Sequence, residues 1–309
     1  VAKKIKQTHT AKRRIAGDRR HVFRTAAAVA ATMIVTATAL TACTKTDTGS
    51  ETTLDDLRKA GTVTVAYANE APYSFDADGQ LTGGTIALHR EVFRRLGVNE
   101  LKGVKTDWGG LIPGLNAKRY DLVSAGMSIT PERCGQAAFS VPEINYTTAL
   151  MVQPGNPKHL TDMDSIKRSG AKMAAMTGAI EADYASELDI PDPMLVKDQQ
   201  SGIDAVNSGR VDAFALTAVS LNYAKTHTPG LNVEVTQPFI AVIDGKPQNP
   251  AGATVFRKED TSLRDAYNAE VKKILADRTE YMKILGPFGF TEENIPDPSL
   301  TTDRLCRGE

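Results

Sequence analysis

A single cation, Arg133, stands a few residues beyond a buried-strand signature, Leu122 to Ala125, that runs into a small-residue turn. A guanidinium fork matches a carboxylate through two parallel hydrogen bonds. In open α/β sheets, ligands collect at the carboxyl ends of strands. The segment therefore suggests a pocket for a small carboxylated molecule, with an ordinary surface arginine after a turn as the alternative. A second group lies upstream. Trp108 is the only tryptophan, and Tyr73 follows Ala71-Pro72. Two ring faces can hold a flat cation, each contributing about 0.5–2 kcal/mol depending on desolvation. Glu70, just after a strand signature, is either an acceptor for ligand N–H groups or a turn and cap residue. The structural alternative for Trp108 is a core aromatic.

Other chemistries find no support in the pattern. No histidine pair has metal-ligand spacing, and no Ser-His-Asp arrangement or phosphate loop stands out. Asp121, Asp212 and the five histidines read as structural. No cofactor is expected.

The elements that must position these residues alternate between strand and helix patterns, which predicts an α/β fold. Thr62 to Ala68 alternates as a strand. Thr85 to Leu96 carries Ile86, Leu88, Val92, Phe93 and Leu96 at helical spacing and stops at Gly97. Val104 to Thr106 reads as a strand, Leu111 to Ala117 as a short helix, and Thr148 to Val152 as an apolar strand. A second alternating series follows, with strands at Lys172 to Met176, Met194 to Lys197 and Asp212 to Leu216. Its helices span Ala179 to Glu187, Ser201 to Ser208 and Thr217 to Thr226. After the Pro/Gly break at Asp244 to Pro250, Ala253 to Phe256 is a strand and Ser262 to Leu285 forms one or two amphipathic helices. Breaks near 150 and 245 suggest a middle lobe (150–245) inserted into an outer one (55–149 and 246–309). Two chain crossings would form a hinge, and ligands often bind in the cleft between lobes that close over them.

With 309 residues the chain is long enough for two such lobes, and its formal net charge of zero hides an asymmetry. Residues 1–42 hold nine Lys/Arg against one acid, whereas the remainder holds 28 bases and 36 acids. An acidic body without a basic run makes a nucleic-acid partner unexpected. The basic start reads as a targeting segment, with a positive region from Lys3 to Arg24 and an Ala/Val/Thr/Ile stretch from Thr25 to Ala42. Leu40-Thr41-Ala42-Cys43 resembles a bacterial lipoprotein signal, cleaved before Cys43 and acylated on it, and residues 43–54 form a polar tether. A plain signal anchor is the alternative. Arg19-Arg20 loosely resembles a twin-arginine export signal. In an exported chain, Cys134 and Cys306 suggest a disulfide. Closing so long a loop would contribute about 5 kcal/mol at most. Two buried thiols are the alternative.

The stretches ANEAPYSF, DWGGLIPGLNAKRYDLVSAGMSITPERC, FSVP, SGRVDAFAL and TVFRKED together resemble the solute-binding proteins of ABC importers, in the polar-amino-acid group. Closer similarity is to ectoine- and hydroxyectoine-binding proteins, carried by Ala68-Asn69-Glu70-Ala71-Pro72-Tyr73, Ile112-Pro113-Gly114-Leu115, PERC with a late Leu305-Cys306, and the ending GPFGF. The resemblance implies a two-lobe type II periplasmic-binding fold, each lobe a mixed sheet flanked by helices, with the ligand in the interlobe cleft. It implies capture of an extracellular zwitterion and delivery to a permease and ATPase, with no chemistry on the solute, by a lipid-anchored chain expected to act as a monomer. It places Arg133, with the backbone near Gly126 and Ser128, on the ligand carboxylate. It places Trp108 and Tyr73 on the ligand faces and Glu70 on its nitrogens.

Two positions depart from the pattern. Ser128 stands where an aromatic is expected, so the aromatic cage reads as incomplete. The carboxylate turn of the second lobe is Thr177-Gly178-Ala179-Ile180, without its usual Thr hydroxyl, although backbone N–H groups at the helix start near Ile180 could serve. Thr217 stands where many amino-acid binders carry an Asp for an α-ammonium, which disfavours ordinary amino acids. The alternatives are a binder of a polar or basic amino acid or another betaine-like solute, a receptor domain, and an exported dehydratase using Glu70 as general acid. If Cys43 is acylated, Cys43→Ala should release the protein into the medium in a fractionation experiment; retention on the membrane would count against the lipid anchor.

Overall fold

The structure is a computed structural model that describes residues 51–309 apart from residue 249, so the targeting segment and Cys43 lie outside the described residues. Two five-stranded paths organise the chain. The first sheet runs in the order Glu100–Lys105, Thr62–Tyr67, Leu122–Ser128, Ala251–Phe256, Ala138–Phe139, with Ile144–Asn145 also paired to Ala251–Phe256. The second runs Met194–Val196, Met173–Met176, Ala213–Thr217, Thr148–Val152, Glu234–Val235. Each sheet is mixed. Thr62–Tyr67 is parallel to both neighbours while Ala251–Phe256 runs antiparallel to Leu122–Ser128, and Thr148–Val152 runs antiparallel to Ala213–Thr217. The chain passes from the first sheet to the second after Asn145 and returns before Ala251.

The central strands are continuous runs of small and apolar residues because helices cover both their faces. Every residue of Leu122–Ser128, Thr148–Val152, Met173–Met176, Ala213–Thr217 and Ala251–Phe256 is buried. Helix Gly84–Arg95 buries Ile86, Leu88, Val92 and Phe93 against the first sheet, and the expected C-terminal amphipathic region is two helices, Thr261–Ala276 and Arg278–Leu285. Of the expected tether, the last residues are held in place. Glu51 accepts from the Ser262 N–H at 2.8 Å, the Thr52 N–H donates to Asp260 at 2.7 Å, and Thr53 caps helix Leu54–Ala60.

One expectation is corrected at the strand carrying Arg133's approach. Small residues after Ala125 suggested a turn, but the strand continues to Ser128. Gly126 takes φ +57° inside it, and the pairing with Ala251–Phe256 shifts register between Ala253 and Val255. A left-handed glycine within a ladder re-aims the strand end without ending it. The absent side chain also leaves room for Tyr73, whose ring would lie 2.5 Å from a Cβ at this position.

Beyond the strand, Thr130 caps helix Pro131–Gln136 by accepting from the Arg133 N–H at 3.3 Å. Cys134 of this helix is disulfide-bonded to Cys306 of helix Thr302–Cys306, with Cα atoms 5.7 Å apart. The C-terminal tail is thereby fixed beside Arg133. Gly126→Ala should lower stability by about 2–4 kcal/mol through left-handed strain and overpacking against Tyr73. Urea unfolding checks this, and an unchanged midpoint would mean that the ring yields freely.

Candidate functional site

A small cavity lies between the ends of the two sheets. Seven of the residues singled out in the sequence line it: Glu70, Tyr73, Trp108, Gly126, Ser128, Ile180 and Thr217. Arg133 is buried, with 7 % exposure, just behind this wall. Its Nη1 donates to the Ser128 carbonyl at 3.0 Å and its Nη2 to the Gly178 carbonyl at 2.8 Å.

The loop carrying Glu70 and Tyr73 follows strand Thr62–Tyr67 and is fixed by the start of helix Gly84–Arg95. The Gly84 N–H donates to the Pro72 carbonyl at 2.8 Å, and the Thr85 N–H and Oγ1 donate to the Tyr73 carbonyl at 3.0 and 2.8 Å. Donors that a helix start leaves without intrahelical partners thus hold the loop. Trp108 opens a 3₁₀ turn just after strand Glu100–Lys105. Its Nε1–H donates to the Gly178 carbonyl at 3.0 Å. Gly178 has φ +77°, and its carbonyl therefore collects donors from both Trp108 and Arg133.

Thr217 ends strand Ala213–Thr217 and caps helix Ala218–His227 through the Ser220 N–H at 3.4 Å. The Ser220 hydroxyl then donates to Glu70 Oε1 at 2.6 Å across the gap between the sheets. Gln199 makes a second crossing. Its Oε1 accepts from the Ala71 N–H at 3.0 Å, while its Nε2 donates to the Ala71 carbonyl at 3.0 Å and the Ser220 carbonyl at 3.2 Å.

Several site residues escaped the sequence reading. Tyr146 lines the cavity, and its hydroxyl is hydrogen-bonded to the Ser128 Oγ. A third ring thus lines the cavity beside those of Tyr73 and Trp108. The third aromatic comes from the crossover between the sheets and meets Tyr73 edge-on, ring centroids 6.1 Å apart. Glu181 also lines the cavity, in the first turn of helix Ile180–Glu187. Gln199 lies two residues before the expected helix start at Ser201, because Asp198 caps the helix earlier.

Burial dominates the electrostatics. It pushes the Glu70 carboxyl up to about 7 against the opposing Ser220 hydrogen bond. Glu181 is pushed up to about 8, by burial first and then by the nearby Glu70, with its own backbone N–H and Arg133 pulling the other way. The Tyr146 and Tyr73 phenols are also raised by burial. A pocket with one guanidinium, two acids and three ring faces can bind a small molecule carrying both charge signs.

Two mixed sheets with a charged pocket between them define a binding protein of two α/β lobes. The chain belongs to the bacterial extracellular solute-binding proteins, family 3, whose profile matches residues 63–286. It is 35% identical over 262 residues to a probable amino-acid ABC transporter periplasmic-binding protein of Sinorhizobium fredii, covering 82% of this chain and 86% of that one. An arginine-binding extracellular protein of Bacillus subtilis is 26% identical over 250 residues, covering 80% of this chain and 91% of that protein. The crystal structure of EhuB in complex with hydroxyectoine is similar with a TM-score of 0.73 and 34% identity, covering 82% of this chain and 97% of that one. The fold is the type II periplasmic-binding fold. No helix among the described residues is long and apolar enough to cross a membrane.

The raised carboxyls give a pH signature. Glu70 and Glu181 hold protons in the folded chain where the unfolded chain has released them, so their stabilisation is full below pH 4.5 and lost as pH rises through about 7 to 8. His89, pulled down to about 4 by burial, acts oppositely: its stabilisation is present above 6.5 and lost as pH falls toward 4. The ligand-free protein should therefore melt at a lower temperature near pH 8.5 than near pH 6.5. Glu181→Gln should flatten that alkaline limb. Calorimetry across this range checks it, and a melting temperature that rises toward pH 8.5 would contradict the assignment.

Proposed function

We propose that this protein is the extracytoplasmic binding component of an ABC importer and captures a zwitterionic compatible solute of the ectoine or hydroxyectoine kind. In this reading it hands the solute unchanged to a permease driven by an ATPase, and it is held at the outer face of the membrane by a lipid on Cys43. The observation that carries the proposal is the gathering of both charge signs around one small cavity: Arg133 behind its wall, with Glu70 and the rings of Trp108, Tyr73 and Tyr146 lining it. The solved relative that binds hydroxyectoine supports the choice of solute class.

The solute carboxylate takes Arg133 by exchanging the Gly178 carbonyl for two carboxylate oxygens, a contact contributing roughly 1.5–3 kcal/mol when water is excluded. The amidinium lies against ring faces, with Glu70 accepting its N–H. The backbone N–H groups at Gly126 and at the helix start near Ile180 assist the carboxylate. Thr217 contributes no charge, so an α-ammonium finds no dedicated counter-ion there. The lobes 55–149 with 246–309, and 150–245, close over the solute about the two chain crossings.

A second reading, a basic amino acid such as arginine, is favoured by the second acid in the cavity and by the arginine-binding relative. Titration of Trp108 fluorescence separates the two. Ectoine and hydroxyectoine should bind at micromolar concentration or tighter, glycine betaine, arginine and glutamine weakly, and Arg133→Ala should weaken ectoine binding roughly 10- to 100-fold. A clear arginine response without an ectoine response would put the second reading first.

A further inference from the structure

Glu181 has no part in the capture just described. It is 2 % exposed, lines the same cavity as Glu70, and its Oε1 has no hydrogen-bond partner within the protein. A buried carboxylate oxygen without a donor is costly unless a ligand completes it or a proton neutralises it. The charged groups that act on it are Glu70 from the other lobe, the Arg133 guanidinium and Asp183 of its own helix. The phenols of Tyr73, Tyr146 and Tyr184 are coupled to it as well. Two carboxyls, one from each lobe, thus line one cavity, with the Arg133 guanidinium close enough to act on Glu181.

Building on the zwitterion-capture reading, we propose that Glu181 is a specificity-determining residue whose Oε1 accepts a second N–H or O–H donor from the non-carboxylate pole of the solute. Glu70 and Glu181 then bracket that pole from opposite lobes. The site takes solutes that present two donors there, as a cyclic amidinium or its hydroxylated form does. It rejects quaternary ammonium solutes, which present none and leave a buried acceptor unpaired. Rejection by an unpaired polar group is the stronger kind of discrimination a pocket can exert.

A proton follows the same geometry. With burial holding Glu181 up at about 8 and Glu70 at about 7, the ligand-free pocket carries a proton near neutrality. A bound cationic pole favours both ionised carboxylates, so the proton leaves to solvent as the solute enters. Affinity is then full above pH 8 and declines as pH falls below about 7.

Isothermal titration of the full chain at pH 7 in phosphate and in Tris, with ectoine, arginine and glycine betaine, tests this. Wild-type protein should release close to one proton per ectoine, seen as a difference in heat between the buffers. Glu181→Gln should weaken ectoine binding roughly tenfold or more and reduce that difference. Glycine betaine should bind both proteins only weakly. Glu181→Met serves as the second variant should the glutamine protein fail to fold. Glu181 variants that bind as tightly as wild type with the same proton release would overturn the assignment, as would tight binding of glycine betaine. Wild-type protein that ignores ectoine and binds arginine sinks the compatible-solute reading instead. The Glu181 comparison is then made with arginine, where a tenfold loss supports the role and no loss overturns it.

Discussion

Burying charges of both signs in a cavity this small is the constraint on which the structure turns. Ions removed from water are tolerated only when hydrogen bonds and opposite charges replace their hydration. Here the replacements come from across the gap between the sheets. The Gly178 carbonyl accepts from Arg133 and Trp108 together, the Ser220 hydroxyl donates to Glu70, and Gln199 grips both polar groups of the Ala71 backbone. The groups that would recognise a solute are the same ones that bind the two halves to each other. In the proposed reading, recognition and closure share one set of bonds.

The fold puts most of the cavity-lining side chains at strand ends or helix starts. Glu70 and Tyr73 follow one strand, Trp108 another, Ser128 and Thr217 end two more, and Glu181 opens a helix. Helix starts supply donors that need partners, and the loop of Pro72 and Tyr73 is pinned in this way by Gly84 and Thr85. Gly126 allows Tyr73 to press against a strand that any larger residue would hold away. The disulfide from Cys134 to Cys306 secures the segment next to Arg133. Rigid supports of this sort keep a guanidinium in place without spending ligand contacts on ordering it.

Much of this was legible in the residues. Alternating strand and helix patterns gave the central strands of both sheets, because apolar runs are local signals, whereas the short helix Pro131–Gln136 that presents Arg133 was not read. The carboxyl end of Leu122–Ser128 was not legible, since Gly126 and Ser128 look like a turn until the neighbouring strand is in view. Tyr146 sits in a crossover without periodicity, where an aromatic cannot be told from core. Glu181 looks like an ordinary acid in a first helical turn, a position that favours acids for reasons of the helix dipole alone. Gln199 and Ser220 matter only because two segments far apart in sequence converge on Ala71 and Glu70. Convergence across a gap leaves no trace in a linear pattern.

A co-crystal structure with ectoine tests the central claim most directly. The account predicts the solute carboxylate on the Arg133 guanidinium, with the ring N–H groups turned toward Glu70 and flanked by the faces of Trp108 and Tyr73. A solute bound in the reverse sense, or one leaving Arg133 on the carbonyls of Ser128 and Gly178, would contradict it.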